Sequence, residues 1–251
     1  MRLQLIRHAT LWLEYAGEQF LIDPMFSDAG QNPPIVNSTN DRRNPLVPLP
    51  FAMNKWLHPD AVIVTHLHRD HWDETTVNIL SKTTPIICQP EDDETIISSG
   101  FNSVTAVNER FTFKEVTIIR TSGKHGTGDI EKKMGRVSGF VFKGVGQPTL
   151  YIVGDTIWCD QVKRAIDEHE PSIIVVNAGG ARFAFGDAIT MDSDDVVSLC
   201  RYAPYARVVA VHMDAINHCL VKRTDLQSRL DSSGLNAQVI IPEDGDWFQD
   251  G

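Results

Sequence analysis

Four short apolar runs limit what this chain can fold into. They lie in "DAVIVT" from residue 60, "VTIIRT" from 116, "LYIVG" from 150 and "RVVAV" from 207. The first is a continuous apolar run bounded by polar residues, the mark of a strand buried on both faces rather than one facing water. Each run leads to a side chain that can bind a metal. "AVIVT" runs into His66, His68, Asp70 and His71, and "VTIIRT" is followed by His125 in a glycine-rich loop. "LYIVG" is followed by Asp155, and "RVVAV" by His212. In α/β proteins, ligands bind in the crevice at the carboxyl ends of strands. The four runs therefore deliver metal-capable groups toward one sheet edge.

Taken singly, these residues have plainer readings. Asp155 suits a turn, His212 a satisfied core histidine, and the "THLHRDH" cluster a set of solvated loop residues or helix caps. The joint pattern favours a metal site. Imidazole with carboxylate suits Zn, Mn or Fe better than Mg or Ca. A structural zinc site is normally closed by four ligands and relies on cysteine. The four cysteines, Cys88, Cys159, Cys200 and Cys219, are scattered without a CxxC pair and read as reduced, buried thiols. The cluster is thus half of an open, catalytic site.

The rest of the chain supplies the frame. Its 251 residues suit one large α/β domain or two small ones. With no repeat, low-complexity tract or linker, a single domain over 1–251 is expected. "LQLI", "TLWLEY" and "QFLID" read as strands, and residues 25–59, with six prolines, as a long irregular loop packed near the site. "DETTVNILSK" reads as a helix capped by Asp73. Residues 111–151 read mostly as strands, and helices near 161–168, 192–202 and 223–232 alternate with strands after that. The net charge of -10 disfavours nucleic acid as a partner. No apolar run is long enough to cross a membrane, and none resembles the core of a signal peptide. A cytoplasmic protein acting on a small molecule, with a homo-oligomer allowed, is the expectation.

"THLHRDH", the histidine of "GKHG", the aspartate of "VGDT" and the histidine of "VAVHMD" occur in the order used by the metallo-β-lactamase superfamily, which the chain resembles from about His8 to His212. "HATLWLEYAGEQFLIDP" is similar to that family's opening strands. "YIVGDT" and the "DP" before the Pro-rich loop look most like the branch containing L-ascorbate-6-phosphate lactonase. The resemblance implies an αββα four-layer sandwich with two divalent ions, Zn or Mn foremost and Fe admitted. Carried over, His66, His68 and His125 hold one ion, Asp70, His71 and His212 the other, and Asp155 bridges them. Asp23 would orient a ligand imidazole.

Such a site makes hydroxide at neutral pH for attack on a small, anionic ester, lactone or phosphodiester. Asp70 would also help move a proton. An iron-dependent oxidoreductase on the same fold, a nuclease and a non-catalytic binding protein are the alternatives. His8 ends the first strand and could reach the site or simply pack. His218 competes with His212 as the last ligand, or contacts substrate. Arg42 and Arg43 could grip an anion or be solvated. Asn177 lines the pocket or makes a tight turn.

Overall fold

The computed structural model describes residues 1–249. The chain opens with an antiparallel meander of β1 (Arg2–Arg7), β2 (Thr10–Tyr15) and β3 (Glu18–Ile22). From there the pairing turns parallel, through β4 (Ala61–Val64), β5 (Ile86–Cys88) and β6 (Val104–Ala106). Helices α1 (Glu74–Ile79) and α2 (Asp92–Ser98) connect these strands. Asp73 caps α1, its carboxylate accepting from Thr76 N.

The second sheet repeats this plan. β7 (Arg110–Phe113), β8 (Val116–Ser122), β9 (Ser138–Lys143) and β10 (Leu150–Ile152) are antiparallel. β11 (Ile173–Asn177), β12 (Arg207–Val211) and β13 (Val239–Ile240) then add in parallel. α3 (Gly128–Met134) stands between β8 and β9, and α4 (Asp160–His169), α5 (Ser193–Tyr202) and α6 (Arg223–Ser233) make the crossovers. β14 (Trp247–Gln249) returns to pair with β1 and gives each sheet seven strands.

Three apolar clusters define four layers. Leu5, Leu13, Phe20 and Ile63 of the first sheet meet Phe140, Phe142, Ile152 and Val209 of the second. The outer face of the first sheet packs Val62 and Ile86 against Ile96 of α2, Trp56 and Phe101. The outer face of the second packs Ile174 and Val208 against Val162, Val197 and Leu226 of its helices. Strands buried on both faces must be apolar on both, which is why their runs are continuous rather than alternating. The result is the expected αββα sandwich.

Residues 25–59 pack as an ordered loop. Phe26 and Trp56 are buried in the outer core. Arg7, buried at the end of β1, donates to the carbonyls of Met25, Ser27 and Val47 and so fastens the loop over the strand ends. Two short helices lie where no helix is expected from the sequence pattern. α3, inside the stretch read mostly as strands, fully buries none of its side chains and offers only Ile130 and Met134 as an apolar face, too short a stripe to read. α2 is a single seven-residue piece in a stretch without clear periodicity.

Candidate metal centre

The site forms where both sheets present strand ends to each other. His66, His68, Asp70 and His71 follow β4; His125 follows β8; Asp155 follows β10; His212 follows β12. All seven are buried except His68, which is half-buried. Backbone strain collects here: His8, Asp23 and His212 have φ of 63°, 44° and 69°, a left-handed region that bulky residues avoid. Glycine is needed next to Asp155 and against His212. Gly154 has φ 75°, and a Cβ there would lie 2.5 Å from Ser138 O, while one on Gly179 would lie 2.2 Å from His212 O.

The donor atoms converge in overlapping groups. One ligand atom each from His66, His68 and His125 lies within 4.8 Å of the others, and the same holds for His66, His71 and Asp155. A further group joins Asp70, His71 and His212 with His8. Asp155 connects them, with Oδ2 3.3 Å from His71 Nε2 and 3.6 Å from His125 Nε2, and Oδ1 3.2 Å from His212 Nε2.

The outward nitrogens of these imidazoles are already engaged. His71 Nδ1 meets Asp23 Oδ2 at 2.8 Å, His125 Nδ1 meets Ile189 O at 2.8 Å, and His68 Nε2 meets Met134 O at 3.1 Å. An imidazole that donates its outward N–H keeps a bare lone pair on the inward nitrogen. The inward nitrogens face one another: His66 Nε2 and His68 Nδ1 at 2.9 Å, His71 Nε2 and His212 Nε2 at 3.3 Å. Donors gathered so closely fit a shared positive charge, a proton or a cation, and N and O donors suit a transition metal. Asp23 also accepts from Thr65 N and Thr65 Oγ1, and Asn177 Nδ2 donates to Asp155 Oδ1 at 2.6 Å. The structure therefore brings Asp23 and Asn177 into contact with site residues.

The charges agree with this arrangement. Burial would raise the Asp155 carboxyl, but His212, His71 and His125 outweigh burial and hold it well below the ordinary carboxylate range. Asp70 is likewise held low against burial by His71, His212 and His8. Burial lowers His71, yet Asp155, Asp23 and Asp70 together raise it well above the usual histidine value. Burial, reinforced by His71, pushes His66 well below.

His8 sits inside the site but not as an obvious ligand. Its ring stacks on His212 with centroids 3.6 Å apart, and Nε2 lies 3.1 Å from Asp70 Oδ2. Burial pushes its pKa down to about 3, so it is neutral. Nδ1 is buried and has no hydrogen-bond partner among the described residues. Were Nε2 on a metal, Nδ1 would carry an unmet N–H at a cost of about 1–3 kcal/mol. With Nε2–H donating to Asp70, only an acceptor lone pair is unmet. His8 thus fits a donor that orients Asp70.

His212 joins the ligand group and His218 does not. His218 instead lines a cavity of about 210 Å³ over the cluster, with Ile35, Met134 and Phe183 as its apolar wall and exposed Arg69 at its edge. Arg43 does not face this cavity: its guanidinium donates to the carbonyls of Gly30 and Gln31 within its own loop. Arg42 is exposed and does not line it either. A wider groove of about 660 Å³, between β8 and α4, carries none of the ligands. Trp72 packs on Phe101 in the outer core.

Residues 18–213 match the β-lactamase superfamily domain. The chain belongs to the metallo-β-lactamase superfamily. It is 36% identical over 252 residues to the UPF0173 protein YddR of Bacillus subtilis, covering 99% of each chain. It also superposes on the isothiocyanate hydrolase from Delia radicum gut bacteria with a TM-score of 0.95 and 35% identity, covering 99% of both chains. A possible metal-dependent hydrolase from Veillonella parvula gives 0.96 and 34%, over 99% of this chain and 98% of that one. The matched range, 18–213, includes all seven candidate ligand positions.

One residue that shapes the cavity escapes sequence reasoning. Asn217, buried beside His218, accepts from Ile35 N and Asn44 Nδ2 through Oδ1 and donates through Nδ2 to the carbonyls of Ile35 and Asn40. It ties the 32–44 loop to the segment after β12. Only its place next to His218 in "DAINH" marked it. Asn217→Ala leaves buried Asn44 and half-buried Ile35 and Asn40 without these bonds and should destabilise the protein by about 2 kcal/mol. A denaturant midpoint reads this directly, and a loss below about 0.5 kcal/mol, typical of a surface change, counts against the hub.

Proposed function

We propose that this metal-dependent hydrolase binds two divalent ions, Zn or Mn, and cleaves small, largely apolar electrophiles, with isothiocyanates as the first substrate class. The observation that carries this reading is the cavity wall. Its roughly 210 Å³ lie below the usual range for ligand pockets, about 300–1,000 Å³, and the side chains above the ligands are Ile35, Met134 and Phe183. Such a wall excludes water and suits a compact hydrocarbon group. The isothiocyanate hydrolase that matches over 99% of the chain supports the same choice.

The overall reaction balances as R–N=C=S plus water giving R–NH2 and O=C=S. Bound divalent ions supply hydroxide at neutral pH and polarise the electrophile. The water oxygen adds to the central carbon, the C=N pair moves to nitrogen, and the C–N bond later breaks as that nitrogen takes its second proton. Asp70 lines the cavity with Oδ2 held by His8, which places its carboxylate to pass the proton lost by water toward the departing amine. Asp23 fixes His71, and Asn177 fixes Asp155, so the ligands stay put as charge moves.

An anionic lactone or ester, as in the lactonase branch, is the second reading; Arg69 at the cavity edge favours it. A screen of the metal-loaded protein with benzyl isothiocyanate, a sugar-phosphate lactone and a phosphodiester separates the two. The isothiocyanate is expected to disappear with matching amine release. No turnover above buffer, alongside cleavage of the lactone or diester, overturns the first choice.

A further inference from the structure

His218 is outside the ligand groups, yet it is buried beside them. It is 6% exposed, its ring faces Phe183 at a centroid distance of 6.3 Å, and it lines the same cavity as His68, His125 and Asp155. Its Nδ1 is shut off from solvent and has no hydrogen-bond partner among the described residues. A buried N–H without an acceptor is costlier and rarer than an unmet acceptor lone pair. The proton of the neutral ring therefore belongs on Nε2. The backbone around His218 is held rigidly: its carbonyl accepts from Arg182 N at 3.0 Å, and the Asn217 hub anchors the preceding residue. A rigidly held donor in an apolar wall serves something that enters the cavity, because no group among the described residues uses it.

We propose that His218 is a catalytic residue that contacts substrate, its Nε2–H donating a hydrogen bond to the heteroatom of the electrophile that gains charge when water adds to carbon. This rests on the proposed hydrolysis and names the polar contact within it. For R–N=C=S that heteroatom is the nitrogen, which takes the C=N pair when water adds. The proton finally carried by the amine comes from water, so His218 holds the charge without being consumed.

The test uses metal-loaded wild type, His218→Ala and His218→Gln, the last keeping a side-chain N–H. Removing one donor aimed at developing charge costs about 100-fold in kcat, so the alanine variant should fall by that much with metal content and melting temperature unchanged. Glutamine should restore kcat to within about tenfold of wild type. Thiocyanate, a linear N–C–S anion, serves as the binding probe by calorimetry, and its Kd should weaken about tenfold in His218→Ala alone. Loss of thiocyanate affinity without any isothiocyanate turnover by wild type upholds the contact and overturns the substrate. Turnover unchanged in His218→Ala, metal lost from it, or thiocyanate binding that is equal or absent in both proteins overturns the contact.

Discussion

Asp155→Ala is expected to abolish turnover while leaving the fold in place. Among the described residues, Asp155 is the only side chain whose carboxylate approaches His71, His125 and His212 together, at 3.2–3.6 Å. Removing it takes a charge from the middle of the ligand groups and frees Asn177 Nδ2 from its partner. Losing a residue that merely orients a metal ligand costs about 10–100-fold in affinity or activity, so losing the shared carboxylate should exceed that upper figure. The metal bound per chain should fall as well. Asp155 follows β10, and the strand's own side chains Leu150, Tyr151 and Ile152 make the core contacts, so far-ultraviolet circular dichroism should not change. An Asp155→Ala protein with full activity, or with its full metal content, would remove the shared carboxylate from the scheme.

The same residue shows why so much of the site could be read from sequence. A ligand placed just after a buried strand inherits that strand's position, and the run of apolar residues before it is visible without structure. Asp23 and Asp155 each follow the strand at which their sheet turns from antiparallel to parallel, β3 in one half and β10 in the other. The two sheets share one connectivity, and the metal groups gather between matching ends.

What stayed hidden depends on distant partners. His8 and His218 look alike in sequence, each a histidine near an apolar stretch. Their roles separate only once Asp70 is found hydrogen-bonded to one, while the ring of the other has no hydrogen-bond partner among the described residues. Asn217 acts on residues more than 170 positions away, and Arg7 through carbonyls of a loop without periodicity. Arg43 had the charge for an anion site, but its loop's own backbone takes up the guanidinium. Hydrogen bonds to backbone carbonyls leave no residue pattern, whereas burial of a strand does.

Removing and restoring the ions should move activity, stability and protons together. Chelation is expected to stop turnover and lower the melting temperature, and Zn or Mn to restore both. Binding at a thousandfold excess over Kd stabilises by about 4 kcal/mol, which for a chain of this length is a shift of about 10 °C. The proton change has a definite sign. In the metal-free protein His71 is held protonated, because Asp155, Asp23 and Asp70 outweigh the burial that would lower it. An ion must displace that proton, so loading should release protons, and affinity should weaken by about tenfold for each unit that pH falls per proton released. A histidine with a raised folded pKa stabilises fully below its unfolded value and loses that contribution as pH rises through the raised one. The gain in melting temperature on loading should therefore grow with pH across that range. Calorimetric loading in two buffers of different ionisation enthalpy measures the released protons. A heat independent of buffer would mean that His71 is already neutral, and turnover that survives complete chelation would remove metal from the chemistry altogether.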